Sequence, residues 1–168
     1  DYIGAFFVSV GLNVDKQAGR LEKDNDDYRA VMLRILAQRL TEAFAELLHA
    51  KVRKQLWGFA PDENYAPEEL IKEPYQGIRP AFGYPSMPDH TQKKQVFDMM
   101  QVEKHTGMKL TESYMMIPEA SVSGLYFAHP QSRYFNVQKI LEDQVEDYAR
   151  RSGKSLQEVK KWLSQYLA

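Results

Sequence analysis

Residues 77–90 hold two Gly and three Pro, and they show neither a helical nor a strand period. Because proline lacks a backbone N–H and fixes φ, this segment is predicted to be neither a helix nor a central strand. It carries Arg79 and Tyr84, and Gly83 between them lets the backbone approach another group closely. A rigid loop with a cation and an aromatic ring is a candidate ligand clamp, and a plain connection between elements is the alternative.

The composition argues against several classes of protein. A chain of 168 residues is expected to form one domain with a real core. Its 22 Lys and Arg nearly balance 23 Asp and Glu, and no basic stretch is interleaved with aromatic residues, so we expect no nucleic-acid partner. No apolar run approaches the roughly 20 residues that cross a bilayer, so no membrane partner is expected either. The absence of Cys fits a reducing compartment, and we expect a cytoplasmic location.

No familiar catalytic or metal motif occurs. Dinucleotide, P-loop and nucleophile-elbow signatures are missing, and the four histidines lack the spacing of a zinc site, so zinc is not expected. His49 falls late in a helical stretch, where a structural or helix-dipole role is the simpler interpretation. His90 ends the Pro-rich segment and is the one histidine that we retain as a functional candidate.

The periodicity predicts an α+β fold, an antiparallel sheet with long flanking helices. The predicted strands cover residues 2–10, 110–116, 122–127 and 134–137. The predicted helices are a short one within 11–25, a long one from an N-cap at 25–27 to about 57, and others near 67–71, 91–105 and 141–151 and from Ser155 onward. The chain starts directly in core-like sequence, and we expect it to be part of something longer.

Several segments resemble one known family, the S-adenosylmethionine-binding activation domains of cobalamin-dependent methionine synthases. Residues 79–85 are similar to its Arg-Pro-Ala-x-Gly-Tyr-Pro segment, and residues 124–135 are similar to its Ser-Gly-x-Tyr-Phe and Ser-Lys-Tyr region. Further similar stretches are residues 1–6, 39–46, 107–113, 143–150 and 158–163. The resemblance therefore runs through the whole chain in order.

The resemblance implies a function within a larger methyltransferase. Such a domain binds S-adenosylmethionine and caps the cobalamin-binding domain of the same enzyme. A flavodoxin-like or other flavoprotein then gives one electron, and inactive cob(II)alamin is remethylated. The cobalamin would be held by the neighbouring domain, and the isolated chain would not be catalytic. The family domain extends upstream, so residues 1–168 would lack its N-terminal part and an acidic ligand contact there.

The resemblance also implies roles for particular residues. Arg79 would grip the ligand carboxylate, and Tyr84 would face the sulfonium. The remaining implied contacts are backbone groups of Ala81 and Gly83, the second contact segment Tyr134 and Phe135, and the acids Glu42 and Glu73 at the ammonium. His90 is the cobalamin-facing candidate. Two departures from the family pattern, Phe82 in place of Pro and Met87 in place of Cys, fall beside these contacts.

Two other functions stay open at this point. A pure interaction module would contact the cobalamin domain or the flavoprotein without binding S-adenosylmethionine, and Phe82 beside the clamp favours it. A stand-alone methyltransferase for a small substrate would need a substrate pocket to which no residue pattern points.

Overall fold

A computed structural model describes residues 2–168, so the first residue of the segment 1–6 lies outside the described part. The α+β prediction is confirmed. The helices are α1 Val14–Lys23, α2 Asp27–Lys51 with a π-helical turn Val52–Leu56, α3 Pro67–Leu70, α4 Gln92–Met99, α5 Val102–Thr106, α6 Glu142–Ser152 and α7 Leu156–Trp162, followed by a 3-10 turn Ser164–Tyr166. The strands are β1 Gly4–Ser9, β2 Lys109–Leu110, β3 Met116–Ile117 and β4 Ser121–Tyr126.

The main sheet is an antiparallel pair with a third segment along its edge. β1 pairs with β4 in the register Gly4 to Tyr126. Along the other edge of β4, Ile78 exchanges backbone hydrogen bonds of 3.0 Å with Phe127. Gly124 is required here, because a Cβ at that position would lie 2.4 Å from the carbonyl oxygen of Pro80. The start of the Pro-rich segment is thus fixed to the sheet.

The long helix α2 covers one face of this sheet. Small buried side chains at Ala37, Thr41 and Ala45 let the helix approach closely, and the Thr41 hydroxyl donates to the carbonyl of Ala120. Asp26 caps its first turn by accepting from the backbone N–H of Arg29, as the N-cap pattern predicted. The core beneath α2 consists of Phe6, Val8, Ala45, Val52 and Tyr126.

One flank of α2 is apolar and exposed. Its side chains recur at helical spacing and are 42–66% exposed: Leu36, Leu40, Phe44 and Leu47. Glu46 and His49 lie on the opposite flank, where they contact Arg79 and Tyr126, so the apolar row points away from that contact. Within residues 2–168 the outer edge of β1 also has no partner strand.

Three details of the sequence interpretation were wrong. Residues 134–137 form no strand, because residues 78–81 already occupy the edge of β4; instead the N–H of Val137 donates to the carbonyl of Pro85. Residues 110–116 are not one strand but a two-residue ladder, Lys109–Leu110 with Met116–Ile117, closed by a turn. The helix predicted for 91–105 is broken at Gln101, whose φ of 50° is left-handed.

The C-terminal helices form a separate small unit. Val145 and Ala149 of α6 pack against Val159 of α7 and Leu163 in an apolar cluster of their own. Ser155 caps α7 by accepting from the N–H of Glu158, as predicted. Within residues 2–168 no helix is both long and apolar enough to cross a membrane.

Candidate functional site

The Pro-rich segment folds into a tight turn with Tyr84 at its tip. The N–H of Gly83 donates to the carbonyl of Met87, and the N–H of Met87 donates to the carbonyl of Tyr84, both at 2.8 Å. Gly83 has a φ of +89°, and a Cβ there would lie 1.9 Å from the imidazole of His90. The turn therefore needs glycine at this position, and it leaves the Tyr84 ring 65% exposed.

Arg79 enters from the sheet edge and is held by three side chains. Its Nη2 lies 2.7 Å from Oε2 of Glu46 on α2. Its Nη1 donates to the hydroxyl of Tyr75 at 2.8 Å and lies 3.1 Å from Nδ1 of His49. Burial disfavours the charge on Arg79, but Glu46 outweighs that cost and the pKa of Arg79 is raised. The guanidinium is thus fixed in its charged form.

His49 takes part in this group as a neutral ring. Burial, with Arg53 and Arg79 nearby, lowers the pKa of His49 to about 3. Since arginine can only donate, Nδ1 of His49 accepts and Nε2 carries the proton. The structural interpretation of His49 is correct, whereas an uncharged ring has no helix-dipole role.

A second arginine, Arg53, packs against Tyr75, which is one of the partners of Arg79. Arg53 is fully buried and donates to both carboxylate oxygens of Glu63, at 2.6 and 2.7 Å. Its guanidinium carbon lies 3.8 Å from the centre of the Tyr75 ring, a cation–π contact. Burial raises the pKa of Tyr75 to about 12, so its hydroxyl stays protonated beside Arg79.

A groove of about 380 Å³ opens beside the turn. It brings together five of the residues that sequence resemblance singled out: Arg79, Ala81, Tyr84, Tyr134 and Phe135. The Tyr134 hydroxyl accepts from the backbone N–H of Arg79 at 3.0 Å, which fixes this ring to the loop.

A second cleft of about 460 Å³ lies on the other side of Tyr134. Glu73, Tyr75 and Arg133 line it, so Glu73 is separated from the first groove by one aromatic ring. Burial raises the pKa of Tyr134, and its hydroxyl remains a neutral partner between the two clefts. Together the clefts offer a cation, a carboxylate and aromatic faces, the groups that recognise a zwitterion bearing an aromatic base.

Three of the predicted residues lie outside both clefts. Glu42 is on the exposed surface of α2 and pairs with Arg39 at 3.5 Å. Gly83 acts through the turn, and His90 packs beneath it, where burial lowers its pKa. Phe82 is only 4% exposed and does not line the groove, so it adds no bulk there.

Sequence reasoning missed the residues that hold Arg79: Glu46, His49 and Tyr75. Glu46, His49 and Arg53 recur at i, i+3 and i+7 along α2 and the turn after it, a spacing that signals Glu46 and His49, whereas no pattern signals Tyr75. Residues 2–168 contain no group of three or more His, Cys, Asp or Glu placed to hold a metal ion.

Comparisons with known proteins identify the family and the fold. Residues 1–153 match the family model described as vitamin B12 dependent methionine synthase, activation domain. The crystal structure of the MetH reactivation domain bound to AdoHcy superimposes with a TM-score of 0.98 at 58% identity. That match covers 100% of this chain and 52% of the other, so this chain spans about half the length of that relative. The resemblance seen in the motifs is confirmed, and the chain belongs to the family of activation domains of vitamin B12-dependent methionine synthases.

Proposed function

We propose that the chain binds S-adenosylmethionine in the groove between the turn at Tyr84 and the segment at Tyr134. The observation that carries this proposal is the fixed, charged Arg79 at a groove lined by two tyrosines and Phe135. The relative bound to AdoHcy supports it, because that compound is S-adenosylmethionine without the transferred methyl group.

The guanidinium of Arg79 keeps donor capacity for a ligand. Its Nη1 serves Tyr75 and His49, and its Nη2 pairs with Glu46. Within the described residues its Nε–H has no hydrogen-bond partner, and its side chain is 20% exposed. A ligand carboxylate therefore binds to a donor that is already oriented, which is the geometry of a charge-assisted pair.

The other groups of the ligand have matching surfaces. The exposed face of Tyr84 suits the sulfonium cation, and Phe135 offers a flat surface to the adenine. Backbone groups of Ala81, which lines the groove, supply hydrogen bonds, whereas the N–H of Gly83 is already donated to Met87 and only its carbonyl remains. The ammonium contact stays a prediction for Glu73 and Glu42: Glu73 lines the neighbouring cleft, so the amino-acid end of the ligand would have to reach past Tyr134, and Glu42 would first have to leave Arg39.

The proposed task is reactivation of a cobalamin enzyme. The domain caps the cobalamin-binding domain, with His90 toward the cofactor, while a flavodoxin-like or other flavoprotein provides one electron in the cytoplasm. S-adenosylmethionine supplies an already activated methyl group, so this chain needs no catalytic acid or base. Its residues bind, orient and exclude water, and the isolated chain is not a catalyst.

We further propose that residues 1–168 are one part of a larger activation domain. Two apolar or unpaired features support this: the exposed row Leu36, Leu40, Phe44 and Leu47, and the edge of β1 that has no partner strand within residues 2–168. Their covering partner is the half of the reactivation-domain fold that this chain does not match. The exposed row predicts that the chain alone self-associates and that joining the other half makes it monomeric in sedimentation; self-association that persists in the joined protein would contradict the assignment.

Titration calorimetry of S-adenosylmethionine into the chain tests the function. Arg79→Ala should weaken binding about ten-fold or more, because a charge-assisted pair is lost. Arg20→Ala, an exposed arginine on α1 whose side chain donates to Gln17, lies outside both clefts; it is the matched control and should bind normally. Equal affinity in Arg79→Ala would remove Arg79 from the site.

The same titration separates the alternative function, a docking module that does not bind the ligand. A docking module would give no heat of binding when S-adenosylmethionine is titrated into the chain, either by itself or joined to the upstream half of the domain. It would still bind the cobalamin domain. Saturable binding rules this alternative out.

A further inference from the structure

Asp89, at the far end of the loop that carries the proposed S-adenosylmethionine site, is a second buried charge. Its side chain is only 5% exposed. Oδ1 accepts from the backbone N–H and the hydroxyl of Thr91, at 2.8 and 2.6 Å. Oδ2 accepts from the hydroxyl of Tyr148 at 2.5 Å and from Nζ of Lys154 at 2.8 Å. Each carboxylate oxygen therefore has two donors.

The protonation states make this contact strong. Burial raises the pKa of Asp89, but hydrogen bonds from Lys154, Thr91 and Tyr148 outweigh it, and the net pKa is lowered. Burial and Asp89 raise the pKa of Tyr148, so its hydroxyl keeps the proton that it donates. Gln92 donates to that hydroxyl oxygen at 2.9 Å and fixes its direction.

Two of the donors come from the C-terminal unit. Tyr148 is on α6, and Lys154 follows Gly153 in the turn between α6 and α7. This helix pair packs around its own apolar cluster. The buried contact of Asp89 with Tyr148 and Lys154, named here the Asp89 junction, thus joins that unit to the ligand loop. The family model ends at residue 153, so Lys154 lies just beyond the matched range.

Asp89 influences the ligand site through the next residue, His90. The imidazole of His90 fills the space over Gly83, where even a Cβ would collide. Gly83 and Met87 close the turn that presents Tyr84. A shift of Asp89 therefore moves His90, and a shift of His90 changes the turn at whose tip Tyr84 lies.

We propose that Asp89, Tyr148 and Lys154 are positioning residues for ligand binding. Through the Asp89 junction, the helix pair α6–α7 holds the loop in the conformation that receives S-adenosylmethionine. This inference rests on the proposed ligand site, and it adds the C-terminal helices to the machinery that shapes that site.

The test combines Tyr148→Phe and Lys154→Met with calorimetry and hydrogen exchange. Each variant removes one donor and keeps the apolar bulk, so the chain is expected to fold. Affinity for S-adenosylmethionine should fall about three- to ten-fold, since a hydrogen bond to a charged partner is lost. Amide exchange in residues 83–90 should be faster without ligand, a change that general destabilisation does not confine to that segment.

Lys160→Met is the matched control. It breaks the surface pair of Lys160 with Glu142 between the same helices but leaves Asp89 untouched. Normal affinity and normal loop exchange are expected for it. Binding by the unsubstituted chain with unchanged affinity in both junction variants would overturn the positioning role alone. Absence of binding by the unsubstituted chain, both alone and joined to the upstream half of the domain, would overturn the ligand site, and this inference with it.

Discussion

The ligand loop is held at each end by a charged side chain, half-buried at Arg79 and buried at Asp89, and the two ends differ in what they leave free. At the Arg79 end, the cation is bound by Glu46, Tyr75 and His49, which belong to α2 and its packing against the sheet. At the Asp89 end, four donors saturate both carboxylate oxygens, and two of those donors come from α6–α7. Among residues 2–168 the Nε–H of Arg79 has no acceptor and its side chain is 20% exposed, whereas both oxygens of Asp89 are occupied and its side chain is 5% exposed.

This difference separates a binding group from an anchor. A buried charge with unused donors has something to offer a ligand carboxylate, and its fixed partners lower the entropy cost of binding. A saturated charge has no remaining capacity, and its hydrogen bonds only define where the chain runs. Substitutions at either end test this difference, and the largest loss of unfolding free energy is expected beneath Arg79.

The largest effect on stability is expected for Arg53→Met, beneath the Arg79 end. Arg53 is fully buried and makes both hydrogen bonds to Glu63, so its loss leaves a nearly buried carboxylate without a partner. The free energy of unfolding in denaturant should fall by about 3–5 kcal/mol. Adding Glu63→Gln should recover part of that loss. A loss below about 1 kcal/mol would show that water reaches this pair.

As the pH falls, the Arg79 end should lose stability first, because His49 is buried there as a neutral ring. Its pKa is 6.5 in the unfolded chain and about 3 when folded. Between these values the unfolded state holds one proton more, so unfolding free energy falls by about 1.4 kcal/mol for each unit that the pH drops. The stability is complete above pH 6.5 and is lost toward pH 3. Denaturant titrations from pH 7 to 4 measure this slope.

His49→Gln supplies the comparison for that slope. The Gln carbonyl can accept from Arg79 as the imidazole does, but it does not titrate. The variant should therefore lose most of the pH dependence between pH 6.5 and 4. An unchanged slope would assign the proton to another group.

The Asp89 end should respond only at lower pH. Its ordinary pKa is 3.8 and the folded value is lower, so the stability from the charged form is complete above 3.8 and is lost as the pH falls below it. Asp89→Asn should cost about 1.5–3 kcal/mol at pH 7, as expected for hydrogen bonds to a charged group. The variant should also reduce the pH dependence of the unfolding free energy below pH 3.8, while the dependence assigned to His49 stays unchanged. A change in that dependence above pH 5 would contradict the separation of the two ends.

Much of this arrangement was predictable from sequence where local rules apply. Caps such as Asp26 and Ser155 mark helix starts correctly, because a side chain needs to reach only three residues ahead. The resemblance singled out Arg79, Tyr84 and Tyr134, and the fold places all three at one groove; their contact with a ligand stays a prediction. Pairing across the chain was not predictable: residues 134–137 have strand-like composition but no free sheet edge.

The partners of the two buried charges were missed for the same reason. Glu46 lies 33 positions before Arg79, and Lys154 lies 65 positions after Asp89, distances at which periodicity carries no information. Glu42, the acid that resemblance indicated, is one helical turn before Glu46 and on the exposed side. Its contact with the ligand ammonium remains a prediction.

The smallest effect on stability is expected for Glu46→Gln, which tests how Arg79 is prepared. Glu46 is 24% exposed, so its pair with Arg79 should contribute only about 0.5–1 kcal/mol to unfolding. Affinity for S-adenosylmethionine should nevertheless fall about three-fold, because the guanidinium loses the partner that orients it. Calorimetry beside a melting curve separates the two readouts. Tighter binding would mean that Glu46 competes with the ligand carboxylate for Arg79, and the Arg79 end would then be a displaceable ion pair.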